Sequence, residues 1–560
     1  MKDIRANGYG SVIIFLNRTQ WGSDRVMGNG FLFRFLCLFG AIAACQTVAA
    51  DNPVRNIVLI LADDLGWADT TLYGKTSLYE TPNIERLVAR GMTFANAYAR
   101  PICSPTRASI MTGQNPARHG MTAPAAHLAN EQFEATVGER ALPDQKCTNV
   151  RSATRLAPDL PMLGKVLHKA GYTTAHFGKW HLGLGTGQVD WNSHISPGPN
   201  EIGFDHAYIM AATQDRVPTV YIENGYVDGL DPADPIEISY KRNYEGQATG
   251  KNNPELLSMM WHHGHNGTIV NGVPRIGFMK GGESAKWRDI DMADHFLNKV
   301  KKYIKSKKDK PFFLYYGMQQ PHVPRTPHPR FVGATSLGPR GDVIAEADWC
   351  VGELMKTLQE EGLMENTLIV FSSDNGPVLN DGYYDDAVEK NGNHTAAGVL
   401  RGGKYSLFEA GTRVPFMVYW KGKIEPKKSD ALVSQLDLFS SLASLTGSDL
   451  RADDSIDLLD TFMGNSDLGR EELILEATTR TALRSGDWVM IPPYNGPAKL
   501  EAVNIEIGNG NQYQLYDLSQ DISQQINLAE SNPEKLNEMI LRFKEIRGER
   551  YEKVKNIELK

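Results

Sequence analysis

The sequence predicts an α/β protein: a large, mostly parallel sheet flanked by helices, followed by a smaller C-terminal α+β domain. Three observations predict it. Short β-branched runs alternate with helical stretches over some 400 residues, as in βαβ folds. The apolar runs lack polar alternation, which suits strands covered on both faces. From about Arg451 the texture changes to short β-like runs ahead of one polar helix. The expected organisation is a leading segment 1–50, a main domain 51–450 and a smaller domain 451–560.

The elements follow in order. Val54 to Ala62 contains Ile57-Val58-Leu59-Ile60-Leu61 and ends in Asp63-Asp64, a buried strand with polar residues at its carboxyl end. Thr81-Pro82 opens a helix through Arg90 that stops at Gly91. A short helix begins at Ser104, and another spans Leu160 to Ala170 before the strand Thr173 to Phe177. Asp289 to Ile304 is amphipathic and precedes the strand Phe312 to Tyr316. Asp342 to Leu363 sets Val343, Ala347, Cys350, Leu354 and Leu358 on one helical stripe, and the strand Leu368 to Phe371 follows. Val414 to Tyr419 is a strand and Leu436 to Leu445 a helix. Residues 182–288 interrupt this rhythm with Gly, Pro, Asn and Asp and hold short strands at most; loops of that length in an α/β chain are usually functional. In the last domain, Leu473 to Leu475, Trp488 to Ile491 and Gln514 to Tyr516 read as strands, and Asn532 to Glu549 as a helix.

With 560 residues, 41% of them hydrophobic, the chain can bury a sizeable core. Its net charge of −7 argues against a nucleic-acid partner, which needs a basic face. An anionic small substrate stays open, because local cations can outweigh the overall charge. Five cysteines are too few for a disulfide scaffold, although Cys147 and Cys350 could pair in an oxidising compartment. Phe31 to Cys45 has the length of a signal h-region and is short for a membrane span. Two cleavage readings compete: Ile42-Ala43-Ala44-Cys45 resembles a lipobox with Cys45 as lipid anchor, and Val48-Ala49-Ala50 resembles an ordinary cleavage site. Met27 could be the start. Either reading places the mature protein in the periplasm or on the cell surface of a bacterium.

The chemistry-bearing residues lie where the strands end. Asp63 and Asp64 end one strand, Asp374 and Asn375 another, and parallel strands bring such ends to one edge of the sheet. Three carboxylates and an amide are oxygen donors that suit a hard divalent cation, Ca²⁺ better than Zn²⁺. Lys179, Lys404 and Arg107 are candidate cations for an anionic substrate. His181 and His322 sit in apolar settings and can titrate near neutrality.

Cys103-Ser104-Pro105-Thr106-Arg107, followed by Ala108-Ser109 and Thr112-Gly113, resembles the C-x-P-x-R signature of the formylglycine-dependent sulfatases. The family's pattern recurs in its usual order at Ile60 to Gly66, Gly178-Lys179-Trp180-His181-Leu182-Gly183, Pro321-His322, Ser373-Asp374-Asn375-Gly376 and Arg401-Gly402-Gly403-Lys404. Leu515-Tyr516-Asp517-Leu518 with Asn527-Leu528 resembles the family's C-terminal domain, so the resemblance spans about residues 53–530. Thr106, where many members have Ser, and Ala410, where Gly is usual, depart from it without touching a proposed catalytic group.

The resemblance implies an alkaline-phosphatase-like fold and hydrolysis of sulfate esters. It implies that Cys103 is oxidised to formylglycine by a transient maturation enzyme, and that Asp63, Asp64, Asp374, Asn375 and residue 103 hold one Ca²⁺. The hydrated aldehyde attacks sulfur; Arg107 bonds to residue 103, Lys179 and Lys404 grip sulfate oxygens, His322 protonates the departing alcohol, and His181 drives release. An exported bacterial sulfatase suggests a sulfated carbohydrate, a galactan or glycosaminoglycan fragment. Trp261-His262-His263-Gly264-His265 could stack on and bond to a sugar, hold a second metal, or be a plain surface loop. Arg275, with His206, Arg216 and Trp287, is a weaker substrate-binding candidate. Two alternatives remain: a phosphate or phosphonate ester hydrolase of the same superfamily, and a lipoprotein that only binds sulfated glycan.

Overall fold

Ile57 to Leu61 offers no polar side chain to water, so its strand has to lie where both faces of a sheet are covered. The computed structural model, which describes residues 56–73, 80–125, 155–478 and 480–547, shows this arrangement. The strand Asn56–Ala62 is buried throughout and runs parallel to Phe312–Gly317 on one side and Thr367–Ser373 on the other. It is the fifth strand of a ten-stranded sheet. The order across the sheet is Lys427–Ser434, Met92–Tyr98, Phe416–Tyr419, Thr367–Ser373, Asn56–Ala62, Phe312–Gly317, Thr173–Lys179, His206–Met210, Tyr221–Glu223 and Tyr226–Val227. Five neighbouring pairs are parallel; Phe416–Tyr419 is antiparallel to both of its neighbours, and Tyr221–Glu223 and Tyr226–Val227 add an antiparallel edge.

Alternate residues of the central strand feed two cores. Ile57, Leu59 and Leu61 pack with the helices Cys103–Thr112, Leu163–Lys169 and Leu438–Leu445. Val58 and Ile60 pack with Met292–Lys307 and Gly338–Glu360. Each fully buried Leu, Ile or Phe contributes roughly 1.5–3 kcal/mol, so a strand that is apolar on both faces is held firmly in the middle of the sheet. The stripe Val343, Ala347, Cys350, Leu354 and Leu358 is buried as its spacing requires. Cys350 is a free thiol inside this core, while Cys147 lies outside the described residues. Residues 1–50, with Cys45 and both cleavage readings, lie outside them too. Among the described residues, no helix is long and apolar enough to cross a membrane.

Beyond residue 451, the strands Glu472–Ala477, Arg480–Ser485, Trp488–Ile491 and Gln514–Asp517 form an antiparallel sheet. One face takes the helix Pro533–Arg547 through Met539 and Phe543. The other packs Leu473, Leu475 and Tyr516 onto Tyr98, Leu407 and Phe408 of the main sheet's side. The described residues belong to one compact unit. Residues 182–288 hold two- and three-residue strand pairs, including Met260–Trp261 against Tyr383–Tyr384.

Candidate active site

The parallel strands end together, and the hydrogen-bond ladder continues one step past them. Met318 N–H donates to the Leu61 carbonyl at 2.9 Å, Asp63 N–H to Gln320 at 2.9 Å and Asp374 N–H to Ala62 at 3.0 Å. Asp63, Asp64, Lys179, His181, His322, Asp374 and Asn375 are thereby delivered to one edge, all buried. Asp64 and His181 have φ of 62° and 55°, and Tyr405, next to Lys404, has φ of 74°. Left-handed backbone at non-glycine residues is costly and concentrates where side-chain direction matters.

The helix Cys103–Thr112 presents residue 103 at its first position, where the helix dipole favours negative charge. Pro105 fits the first turn, which needs no internal N–H donor there. Ser104 Oγ donates to the His181 carbonyl at 2.7 Å, and Thr106 Oγ accepts from Arg100 N–H at 2.8 Å, so the motif's small residues fasten the helix end. Arg107 Nε donates to Asp374 Oδ2 at 2.9 Å and Nη1 to the Lys179 carbonyl at 3.0 Å. It reaches them by passing Gly317: a Cβ there would stand 2.9 Å from Arg107 Nη1 and 2.7 Å from the Lys179 carbonyl oxygen.

Around this frame Cys103 Sγ lies 3.2 Å from His181 Nδ1. Lys179 Nζ donates to Asp63 Oδ2 at 2.5 Å, and Lys404 Nζ to Asp64 Oδ2 at 2.9 Å and Asp381 Oδ2 at 2.8 Å. Asn375 Nδ2 donates to Asp64 Oδ1 at 2.7 Å. His322 donates from Nδ1 to the Val323 carbonyl at 2.7 Å and turns Nε2 toward Asp64, 3.8 Å away.

The electrostatics follow from burial and from this crowd of charges. Burial, then Asp374, pushes the Asp63 carboxyl well above the usual range. Burial also raises the Cys103 thiol to about 11, so as cysteine it is protonated at neutral pH and a weak nucleophile. Desolvation works against the Lys404 ammonium, but Asp381 and Asp64 outweigh it and hold the group charged. Burial, with Lys404 and Lys179, holds His322 neutral, well below the ordinary imidazole range.

The donor set fits a hard cation. Asp63 Oδ1 and Asn375 Oδ1 are buried acceptors with no hydrogen-bond partner among the described residues. Leaving such atoms unsatisfied costs about 1–3 kcal/mol each, which a cation would remove. Ligand atoms of Asp63, Cys103 and Asp374 lie within 4.8 Å of one another, as do those of Asp63, Asp64 and His322.

The comparisons with known proteins agree with this geometry. The family model described as Sulfatase matches residues 55–448. The chain belongs to the sulfatase family. It is thus a sulfuric ester hydrolase with the sulfatase fold. An N-acetylgalactosamine-6-O-sulfatase of Bacteroides thetaiotaomicron is 45% identical over 504 residues, covering 88% of this chain and 94% of that protein. The N-acetylgalactosamine-6-sulfatase of Rattus norvegicus is 29% identical, covering 80% of this chain and 74% of its own. A solved structure from work on glycosaminoglycan metabolism by Bacteroides thetaiotaomicron has a TM-score of 0.81 at 42% identity, covering 88% of this chain and 99% of that one.

The remaining candidates of this sulfatase lie outside that cluster of charges. Trp261 is half-buried and spends its indole N–H on the Gly250 carbonyl at 3.1 Å. His262 and His263 are half-buried and face each other through Nδ1 at 2.7 Å, while His265 turns inward to Asp215 at 2.8 Å. The three histidines do not converge on one point as metal ligands would. Arg275 is fully buried, paired with Asp289 at 2.6 Å and bonded to the Gln214 and Val270 carbonyls. His206 and Trp287 pack with the sheet edge and the helix Met292–Lys307. Asp381 escaped the sequence reading because Asn380-Asp381-Gly382 has the composition of a turn. Asp215 follows the short strand His206–Met210, which has no distinctive apolar run.

Proposed function

We propose that this sulfatase removes 6-O-sulfate from N-acetylgalactosamine in glycosaminoglycan fragments, with Cys103 matured to formylglycine beside a bound Ca²⁺. The observation that carries the sugar is the 45% identity to a relative named for that activity across 94% of its length. The chemistry rests on the convergence of residue 103 with three carboxylates, two lysines and two histidines in one buried pocket.

Asp63, Asp64, Asp374, Asn375 and residue 103 would hold the cation, which supplies positive charge beside the sulfate oxygens. Formylglycine supplies a hydrated carbonyl whose one hydroxyl is the nucleophile and whose other allows sulfate to be expelled. The chain's own groups do the rest. Lys179 and Lys404 bond to Asp63 and Asp64 and stand at the edge of the pocket, where their ammonium groups are placed to donate to sulfate oxygens. Their charge stabilises the oxygens in the transition state. Burial and then the two lysine charges disfavour protonation of His322; a sulfate between the lysines offsets those charges, which favours a proton at Nε2 for the sugar oxygen. His181, 3.2 Å from Sγ, is placed to take a proton from residue 103. Arg107 holds Asp374 in place, its Nη2 2.8 Å from Oδ2.

A maturation enzyme is the implied transient partner. Export to the periplasm or cell surface, with or without a lipid at Cys45, is part of the proposal and rests on Phe31 to Cys45 alone.

The test is sulfate release from 6-sulfated and 4-sulfated N-acetylgalactosamine, 6-sulfated N-acetylglucosamine and 6-sulfated galactose, with the mass of the residue-103 peptide measured in the same preparation. We expect an aldehyde at 103 and a preference for 6-sulfated N-acetylgalactosamine. Cys103→Ala should remain folded and inactive, and Asp374→Ala and Asn375→Ala should retain less metal after dialysis. An unmodified Cys103 in fully active protein would overturn the mechanism. A higher kcat/KM on aryl phosphate than on the matched aryl sulfate would overturn the reaction.

A further inference from the structure

The groups that grip a sulfate leave open what holds the sugar behind it. One cation on a segment that borders His181 takes no part in that grip. Residues 211–217 leave the strand His206–Met210 and run against the end of Thr173–Lys179, where His181 N–H donates to the Ala211 carbonyl at 3.2 Å. This segment carries Arg216. Nε donates to the Thr213 hydroxyl at 2.9 Å and lies 3.5 Å from Asp215 Oδ1. The two terminal nitrogens have no hydrogen-bond partner among the described residues, and 20% of the side chain is exposed.

The stem of this arginine is held by a buried chain of polar contacts. Asp215 accepts from the Thr213 hydroxyl and lies 2.8 Å from His265 Nε2. His265 Nδ1 in turn lies 2.6 Å from the His263 carbonyl oxygen. The imidazole lies against Gly382, where a Cβ would come within 1.9 Å of Nδ1 and where φ is +107°. Gly382 follows Asp381, the partner of Lys404. Removing a carboxylate and an imidazole from water costs free energy that their mutual contact only partly returns. A free guanidinium fork at the end of such a chain is a preorganised donor.

We infer that Arg216 is a substrate-binding residue that donates to an acceptor oxygen of the sugar bearing the scissile sulfate, with Asp215 and His265 as its positioning residues. This rests on the reading of the enzyme as a carbohydrate sulfatase. A hydroxyl oxygen of the ring and the carbonyl oxygen of an N-acetyl group share the required chemistry. An aryl sulfate such as 4-nitrophenyl sulfate offers neither.

The experiment compares kcat and KM of wild type, Arg216→Ala, His265→Ala, His265→Gln and Asp215→Asn on three substrates: 6-sulfated N-acetylgalactosamine, 6-sulfated galactose and 4-nitrophenyl sulfate. Arg216→Ala should lose about 50-fold in kcat/KM on the sugar, mostly through KM, as expected for a charged donor's hydrogen bond. The loss on 4-nitrophenyl sulfate should stay under about fivefold. Loss on both sugars identifies a ring hydroxyl as the acceptor; loss confined to the acetylated sugar identifies the N-acetyl carbonyl. His265→Ala should reproduce the same selectivity, and His265→Gln, which can keep a donor near Asp215, should recover part of it. Asp215→Asn gives the second reading if His265→Ala does not fold, as thermal unfolding will show. Equal losses on sugar and aryl sulfates, or a sugar loss under fivefold, overturns the inference. If wild type ignores 6-sulfated N-acetylgalactosamine but desulfates another sugar, the proposed substrate fails, and Arg216 is judged by the same ratio on that sugar.

Discussion

Gly317 shows how much of the catalytic frame depends on one missing side chain. The strand Phe312–Gly317 ends there, and Arg107 crosses its surface to reach Asp374 and the Lys179 carbonyl. A methyl group at 317 would sit 2.7 Å from that carbonyl oxygen and 2.9 Å from Arg107 Nη1. Neither can retreat easily, because Arg107 is fully buried and the Lys179 carbonyl belongs to a sheet strand. Gly317→Ala should therefore displace both groups. Overpacking of this kind costs about 1–3 kcal/mol of stability, and a displacement approaching an ångström costs about 100-fold in rate. We expect a folded protein with a slightly lower Tm and kcat reduced about 100-fold at unchanged residue-103 aldehyde content. A kcat within fivefold of wild type would show that Arg107 has more freedom than its packing indicates.

At the scale of elements, the C-terminal sheet supports the pocket directly. Arg480, in the strand Arg480–Ser485, is buried and donates to the Tyr405 carbonyl at 2.7 Å. Tyr405 follows Lys404 and carries left-handed backbone, so this bond helps hold a strained turn. Arg480→Ala should leave the Tyr405 carbonyl without this donor, at roughly 1–3 kcal/mol, while the Ile507 carbonyl keeps the Leu407 N–H. We expect a clearly lower Tm, and a kcat loss that added guanidinium partly rescues; a variant with unchanged kcat would reduce the sheet to a passive appendix. The strands with continuous apolar runs, Asn56–Ala62, Phe312–Gly317 and Thr367–Ser373, were readable in the sequence because only a strand covered on both faces tolerates such composition. Lys427–Ser434 was not, since its KKSDALVS is that of an edge strand half open to water. His206–Met210 was too short to announce itself. The convergence of the motif residues on one pocket was legible because several motifs stand in order at strand ends. Asp215, Asp381 and the inward turn of His265 were not, because their roles depend on how distant loops meet.

On the scale of the whole molecule, the buried histidines couple stability to pH, and His119 isolates the effect. Its Nδ1 accepts from Met121 N–H at 3.1 Å and its Nε2 faces Ser109 Oγ at 3.1 Å. A second proton would have to enter at Nδ1, against an N–H already pointing there. Burial, then the Arg100 charge, lowers its pKa to about 3. Above about pH 6.5 the imidazole is neutral in both folded and unfolded chains and contributes nothing to the pH dependence. Below that, the unfolded chain binds a proton that the folded chain refuses, so stability falls as pH falls, by about 1.4 kcal/mol per unit, until about pH 3. Buried His176 acts in the same direction, whereas Glu346, raised by burial to about 7, acts oppositely between its unfolded and folded values. A total slope would mix these contributions, but a variant comparison separates them. His119→Asn keeps an acceptor for Met121 N–H and removes the titrating ring. Its unfolding free energy should decline less steeply than that of wild type, the two curves converging by about 2 kcal/mol between pH 6.5 and 5. Parallel curves would mean that His119 takes up its proton in the folded protein, which requires the Met121 contact to open.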